Sequence, residues 1–169
     1  MAHERIEVDL PLRKVYEYLS DPGYFPHFFE RIDHVNKVNS QTFEFFTEIG
    51  NEHYQWTVNV IDNLRNTRFA WITINGNLNQ TGTIRFTPLA NGEQTRVDIN
   101  LDCRTFFGEP EEELAAFIQG LPAHLKKDLE RFKEDVESGT FKEKAEDTAA
   151  ESAQLHEERM EEQADEVTA

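Results

Sequence analysis

Residues 95–139 read TRVDINLDCRTFFGEPEEELAAFIQGLPAHLKKDLERFKEDVESG, and within them the apolar period changes once. Thr95, Val97, Ile99, Leu101 and Cys103 alternate with Arg96, Asp98, Asn100, Asp102 and Arg104. A period of two puts one strand face against a core and the other in water. Beyond Pro110 the period becomes helical, with Leu114, Phe117, Ile118, Leu121, Leu125, Leu129, Phe132 and Val136 on one stripe. Pro110 and Glu111-Glu112-Glu113 suit the start of that helix, where an N–H is unpaired and the dipole end is positive. Gly139 suits its C-cap, and Gly120 with Pro122 predicts a kink near the middle. A half-buried strand followed by one long, one-faced helix calls for that helix to lie across a sheet.

The chain upstream supplies the sheet. Ile6, Val8 and Leu10 alternate with Glu7 and Asp9 as a first strand. Pro11 then opens a short helix whose apolar face is Leu12, Val15, Tyr16 and Leu19, ended by Ser20-Asp21-Pro22-Gly23. Tyr24-Phe25-Pro26-His27-Phe28-Phe29 predicts a second helical turn. From about 32 to 104 the period is two. Phe43, Phe45, Thr47 and Ile49 share one phase; so do Tyr54, Trp56, Val58 and Val60. Phe69 to Ile74 is apolar on both faces, Asn75-Gly76 ends that run, and Ile84 and Phe86 precede Pro88. Asn91-Gly92 predicts a two-residue hairpin. The short spacings favour antiparallel neighbours. The fold class expected is α+β: about six to seven curved antiparallel strands wrapped on a long C-terminal helix, with two short helices after the first strand.

Composition divides the chain. Of 19 Phe, Tyr and Trp residues only Phe141 lies beyond position 140, so the core belongs to residues 1–139. Residues 140–169 are an acidic appendage with a net charge of −7 out of −16, expected to be disordered or loosely helical because no apolar stripe docks it. Acidity without a basic run argues against nucleic acid. No run of about 18 apolar residues occurs and MAHERIEVDL lacks a signal-type apolar stretch, so stable membrane insertion is not expected and the cytoplasm is the expected compartment. Cys103 is the single cysteine, and none of the six histidines pairs with another at metal-ligand spacing, so neither metal nor cofactor is expected. Oligomeric state is left open.

Several segments together resemble the START-like SRPBCC superfamily, the polyketide cyclase/dehydrase group. They are Ile6–Pro11, Val15–Pro22 with Tyr24-Phe25-Pro26, Trp56-Thr57-Val58 leading through Asn66 to Phe69-Ala70-Trp71, Thr81–Leu89 with Thr95-Arg96-Val97, and Leu125–Lys133. The likeness spans about 4–139 in order. It implies a helix-grip fold with a deep cavity between sheet and C-terminal helix, usually for hydrophobic ligands. It does not imply one reaction, since relatives include lipid and quinone carriers, cyclases and sensors.

Phase and loop position select the candidate ligand residues. Phe45, Tyr54, Trp56, Trp71 and Phe86 lie in apolar strand phases, Phe25, Phe28, Phe106 and Phe107 are loop aromatics suited to a pocket mouth, and Phe117 and Leu121 come from the helix. Thr47 and Thr73 offer hydroxyls to orient a ligand carbonyl. Ionisable groups are almost absent from those strand phases, so no catalytic residue is assigned. The function expected is a carrier or sensor of a lipid, quinone or aromatic polyketide. An aromatase/cyclase is the alternative, and an interaction module the second.

Deleting 140–169 should leave the melting temperature within about 2 °C of the full chain, since no more than a few tenths of a kcal/mol would be lost. A ten-degree drop in a thermal scan would show the appendage to be docked.

Overall fold

The computed structural model describes residues 1–106 and 108–140. Phe107 and nearly all of the acidic appendage lie outside them. Seven strands form one antiparallel sheet in the order β1-β7-β6-β5-β4-β3-β2. The strands are β1 (Ala2–Val8), β2 (His34–Lys37), β3 (Thr42–Ile49), β4 (Glu52–Leu64), β5 (Arg68–Gly76), β6 (Asn79–Leu89) and β7 (Gln94–Arg104). Helices α1 (Leu12–Leu19) and α2 (Phe25–Phe28) follow β1, and α3 (Glu112–Ser138) closes the fold. The architecture is the α+β one that the periodicity calls for, and the helix-grip fold that the resemblance implies.

The phase of β7 holds along its length: Thr95, Val97, Ile99, Leu101 and Cys103 are buried while their neighbours are half-buried or exposed. β7 lies between the first strand and β6, pairing Ile6 with Val97 and Phe86 with Val97 across its two edges. Two register shifts in the β4–β5 pair, between Thr57 and Val58 and between Val60 and Asp62, bend the longest hairpin.

Local details differ from the sequence reading in three places. The first strand begins at Ala2 and ends at Val8, because its pairing partner β7 extends that far and Leu10 is spent on the turn. Pro11 is the N-cap of α1, its carbonyl accepting from Lys14 and Val15 N–H at 3.0 and 3.2 Å. The β6–β7 hairpin has a four-residue loop, not two, since Leu89 pairs with Gln94. Ala90, Asn91 and Gly92 all take positive φ there, so Asn91-Gly92 is one half of a longer left-handed turn.

Helix α3 runs through Gly120 and Pro122 as one continuous helix and is capped by Gly139 with φ of 83°. Its buried face includes Leu114, Leu121, Leu125, Leu129, Phe132 and Val136. Two anchors hold its C-terminal half. Lys133 Nζ donates to the Glu7 carbonyl at 2.7 Å, while Glu137 accepts from Asp9 N–H at 2.7 Å, tying the helix to the edge of the sheet. Phe132 meets Phe28 edge-on at 5.0 Å, and Arg131 donates to the Phe28 carbonyl at 3.1 Å, tying it to α2.

Ile99 is fully buried, whereas Asp98 points outward and accepts from Arg5 at 2.7 Å. Ile99→Lys should prevent folding, because the ammonium would be buried unpaired. Asp98→Lys should fold and cost about 1 kcal/mol, the scale of a lost surface pair with a like charge in its place. Urea unfolding of both variants checks the phase of the sheet, and equal behaviour would refute it.

Candidate functional site

Between α3 and the sheet lies a cavity of about 30 Å3. That is room for a water molecule or two, far below the several hundred cubic ångströms a drug-sized ligand occupies. The sheet contributes Trp56, Trp71, Gln80 and Leu101, and the turn between β5 and β6 contributes Leu78. The helix contributes Phe117, Leu121, His124, Leu125 and Asp128, and the segment around α2 contributes Phe25, Phe29, Arg31 and Ile32.

Trp71 reaches this wall because position 82 is glycine. A Cβ there would come within 2.2 Å of the Trp71 ring, so any side chain on β6 at that point would push the indole off the sheet. Trp56 stands edge-on to Phe45 at 5.5 Å, and Phe25 packs on both Phe45 and Trp71.

Of the residues selected from sequence, Phe25, Trp56, Trp71, Phe117 and Leu121 line the cavity. Phe28, Phe45 and Phe86 do not. Phe28 is spent on Phe132 and Phe29, Phe45 on Phe25 and Trp56, and Phe86 on Tyr16 at 5.5 Å. Tyr54 and Phe106 line a separate open groove of about 590 Å3 with Ile74, Pro110 and Leu114, and Phe107 lies outside the described residues. Thr73 is no ligand hydroxyl, because it donates to the Gln80 carbonyl at 2.6 Å and accepts from Gln80 N–H, closing the β5–β6 hairpin. Thr47 borders a different groove, beside Tyr54.

The wall is more polar than the strand phases alone suggest. Gln80 shares the inward phase of Ile84 and Phe86, and Asp128 falls on the apolar stripe between Leu125 and Phe132. Both signals are in the sequence: a polar residue at a position whose period demands an apolar one. Asp128 is 5% exposed. Its Oδ1 accepts from Arg131 at 2.9 Å and, at 3.5 Å, from Glu30 N–H. Burial pushes its carboxyl up to about 6, against the opposing pull of Arg131 and the Glu30 N–H. Burial, followed by the charge of Asp102, pushes the Cys103 thiol up to about 12, which leaves it inert.

The outer side of the cavity is closed by a stack. Arg31 lies 6.0 Å above the Phe117 ring, and Phe117 stacks with His124 at 6.4 Å and an interplanar angle of 24°. His124 folds back against Gly120, where a Cβ would stand 3.3 Å from its ring. Pro122 lacks the N–H that would pair the Ile118 carbonyl, so the helix is weakest where it carries this stack. Beyond it is an open groove of about 350 Å3, bordered by Ile49, Gly50, Glu113 and Ala116 and sharing Arg31, Phe117 and His124 with the cavity.

Among the described residues no cluster of three or more His, Cys, Asp or Glu could hold a metal, and no helix is long and apolar enough to cross a membrane.

A sheet that grips one long helix around a lined cavity defines a START-like domain. The family described as polyketide cyclase/dehydrase and lipid transport matches residues 2–137, and the chain belongs to it. It is 24% identical over 136 residues to an uncharacterized 17.2 kDa protein of Streptomyces lincolnensis, covering 80% of this chain and 89% of that one. A START superfamily protein from Mycobacterium smegmatis superposes with a TM-score of 0.65 at 17% identity, over 80% of this chain and 97% of its own. The Zhui aromatase/cyclase from Streptomyces sp. R1128 gives 0.61 at 16% identity, over 79% and 93%. At such identities the likeness speaks for the fold.

Asp128 makes stability depend on pH with a definite sign. Between its ordinary range near 3.8 and about 6 the unfolded chain ionises while the folded one holds its proton, so stability falls as pH rises through that window. Asp128→Asn removes this loss and can keep the acceptor for Arg131. The variant should gain about 1–2 kcal/mol on the wild type between pH 5 and pH 7 in urea titrations. A difference independent of pH would show the carboxyl to be ordinary.

Proposed function

We propose that this domain binds a hydrophobic small molecule between α3 and the sheet and carries or senses it without chemical change. The observation that carries this reading is the shared wall of Phe117 and His124, with a small apolar cavity on one side and a groove of about 350 Å3 on the other. Swinging the Phe117 ring out joins the two spaces, and the Gly120–Pro122 stretch is the part of α3 that yields at least cost. The closed form keeps Trp56 and Trp71 away from water, and a ligand entering would replace contacts between apolar walls by contacts with itself. Family membership supports the class of ligand, and the net charge of −16 supports a neutral small molecule over a polyanion.

One observation favours the cyclase reading as well. Asp128 takes up a proton near pH 6 on the cavity wall, and His124 stands one helical turn away on the same wall. Such a pair has the groups for general acid–base work. An enzyme of this kind would convert a reactive poly-β-ketone and lose turnover on Asp128→Asn while still binding it. A carrier returns the molecule unchanged in both forms.

Trp56 and Trp71 report on the cavity directly. Titration with a panel of fatty acids, a menaquinone and polycyclic aromatic ketones should change their emission saturably with a stoichiometry near one for at least one member. Leu121→Phe fills the cavity from the helix side, and it should keep the fold while abolishing that change. Unchanged emission across the panel, or undiminished binding by Leu121→Phe, would sink the proposal.

A further inference from the structure

The open groove beside the start of α3 differs in kind from the central cavity. Its volume is about 590 Å3, the size of a small-molecule site. Tyr54, Ile74, Phe106 and the buried Leu114 line it, and Ile74 and Phe106 remain 50% and 41% exposed. Large apolar side chains left open to water in one groove mark a place to bind. The loop that carries Phe106 is closed on itself, Thr105 Oγ1 donating to the Gly108 carbonyl at 2.8 Å. Asn77, from the turn between β5 and β6, accepts from Gln55 N–H at 2.8 Å and donates to the His53 carbonyl at 3.1 Å. Both loops are thus held before a ligand arrives.

The groove is also acidic. Glu109 and Glu111 line it. Burial, and then the charges of Glu111, Glu52 and Glu113, push the Tyr54 hydroxyl up, so three carboxylates act on one ring. Glu113 fills the space a Cβ on Gly50 would need, which sets it against the β3–β4 turn. The dipole of α3 accounts for acids at its first turn, but Glu109 precedes the helix and Glu52 belongs to β4. Glu111, at the N-cap, makes no side-chain hydrogen bond to the helix. Among the described residues no Lys, Arg or His forms an ion pair with any of these four.

We infer that this groove is a second binding site, for an organic ammonium carried on an apolar body. The apolar body lies on Phe106 and Ile74, and the ammonium stands at the Tyr54 ring before Glu109 and Glu111. Aromatic faces attract a cation, and the surrounding carboxylates add to that attraction. An anion is repelled by the same charges, and a plain hydrocarbon leaves them unused. Among the described residues no three His, Cys, Asp or Glu side chains stand close enough to share a metal ion, so the charge is spread on the scale of an organic cation. The inference is independent of the ligand proposed for the central cavity, whose lining shares no residue with this groove.

Naphthylethylamine, naphthylethanol and naphthylacetate share a ring and carry a positive, no and a negative charge at neutral pH. Equilibrium dialysis of the full chain, read by naphthalene fluorescence, should give the amine roughly ten-fold tighter binding than the alcohol, with the acetate weakest. The preference should shrink as NaCl rises from about 20 mM to about 500 mM, because the groove is open to solvent. Glu109→Gln with Glu111→Gln should bring the ratio toward one and leave the alcohol unchanged. Glu93→Gln with Glu134→Gln removes the same charge from the β6–β7 turn and the last turns of α3, and should leave the ratio intact. Phe106→Ala should weaken amine and alcohol alike. No binding of the amine, or equal binding of amine and alcohol, overturns the site. So does an equal loss in the two double variants, which would show an effect of net charge alone, or undiminished binding by Phe106→Ala. Each of these outcomes leaves the central-cavity reading standing.

Discussion

One helix has to cover a sheet much wider than itself. Seven strands at about 4.8 Å spacing span roughly 29 Å, while a helix with its side chains is about 10–12 Å across. Curving the sheet around α3 reduces the mismatch, and the bulged β4–β5 pair is where the longest strands bend. What remains between helix and sheet must be filled by large side chains, and the aromatic density of the chain follows from that demand. Phe25, Phe28, Phe29, Phe45 and Trp56 form a connected set of ring contacts under α2 and α3. The cavity is the space this filling leaves over.

The same constraint gives the two halves of α3 different surroundings. Its C-terminal half is fastened at both sides, by Lys133 and Glu137 to the sheet edge and by Arg131 and Phe132 to α2. Its N-terminal half buries Leu114 in the core and carries Phe117, Leu121 and His124 on the cavity wall, around the Gly120–Pro122 stretch. Asp128 sits at the junction. It accepts from Arg131 and from Glu30 N–H, fixing the loop after α2 against the helix, and in doing so it brings a carboxyl to the cavity wall. Removing that charge therefore touches both the anchoring and the polarity of the cavity wall, which is why asparagine, able to keep the acceptor, is the informative replacement.

START-like architecture accommodates carriers and cyclases alike, and the family of this chain is described by both activities. The distinction lies in side chains at the wall. Here apolar side chains make most of the lining, and the polar side chains among them are Arg31, Gln80, His124 and Asp128. Among the described residues, Asp128 and His124 are the wall pair with the groups for acid–base chemistry.

Much of the architecture was legible from period alone. The alternation from Thr95 to Cys103 identified the buried face of β7, and the stripe from Leu114 to Val136 identified the inward face of α3, because a strand or helix that buries one face must repeat its apolar residues at that spacing. Phase says which face a residue takes, however, and not where along a curved sheet the helix lifts away from it. Phe45, Phe86 and Trp56 are equivalent by phase; packing against Phe25, Tyr16 and the cavity respectively is decided by curvature and by the placement of α1 and α2. Gln80 and Asp128 stood in the sequence as polar interruptions of apolar patterns, and only the tertiary structure turned them into a wall, because their common neighbour is the space between two elements far apart in the chain. The Arg31–Phe117–His124 stack is of the same kind: its members come from a loop and from two turns of a helix, and their meeting depends on how closely α3 lies against the segment after α2.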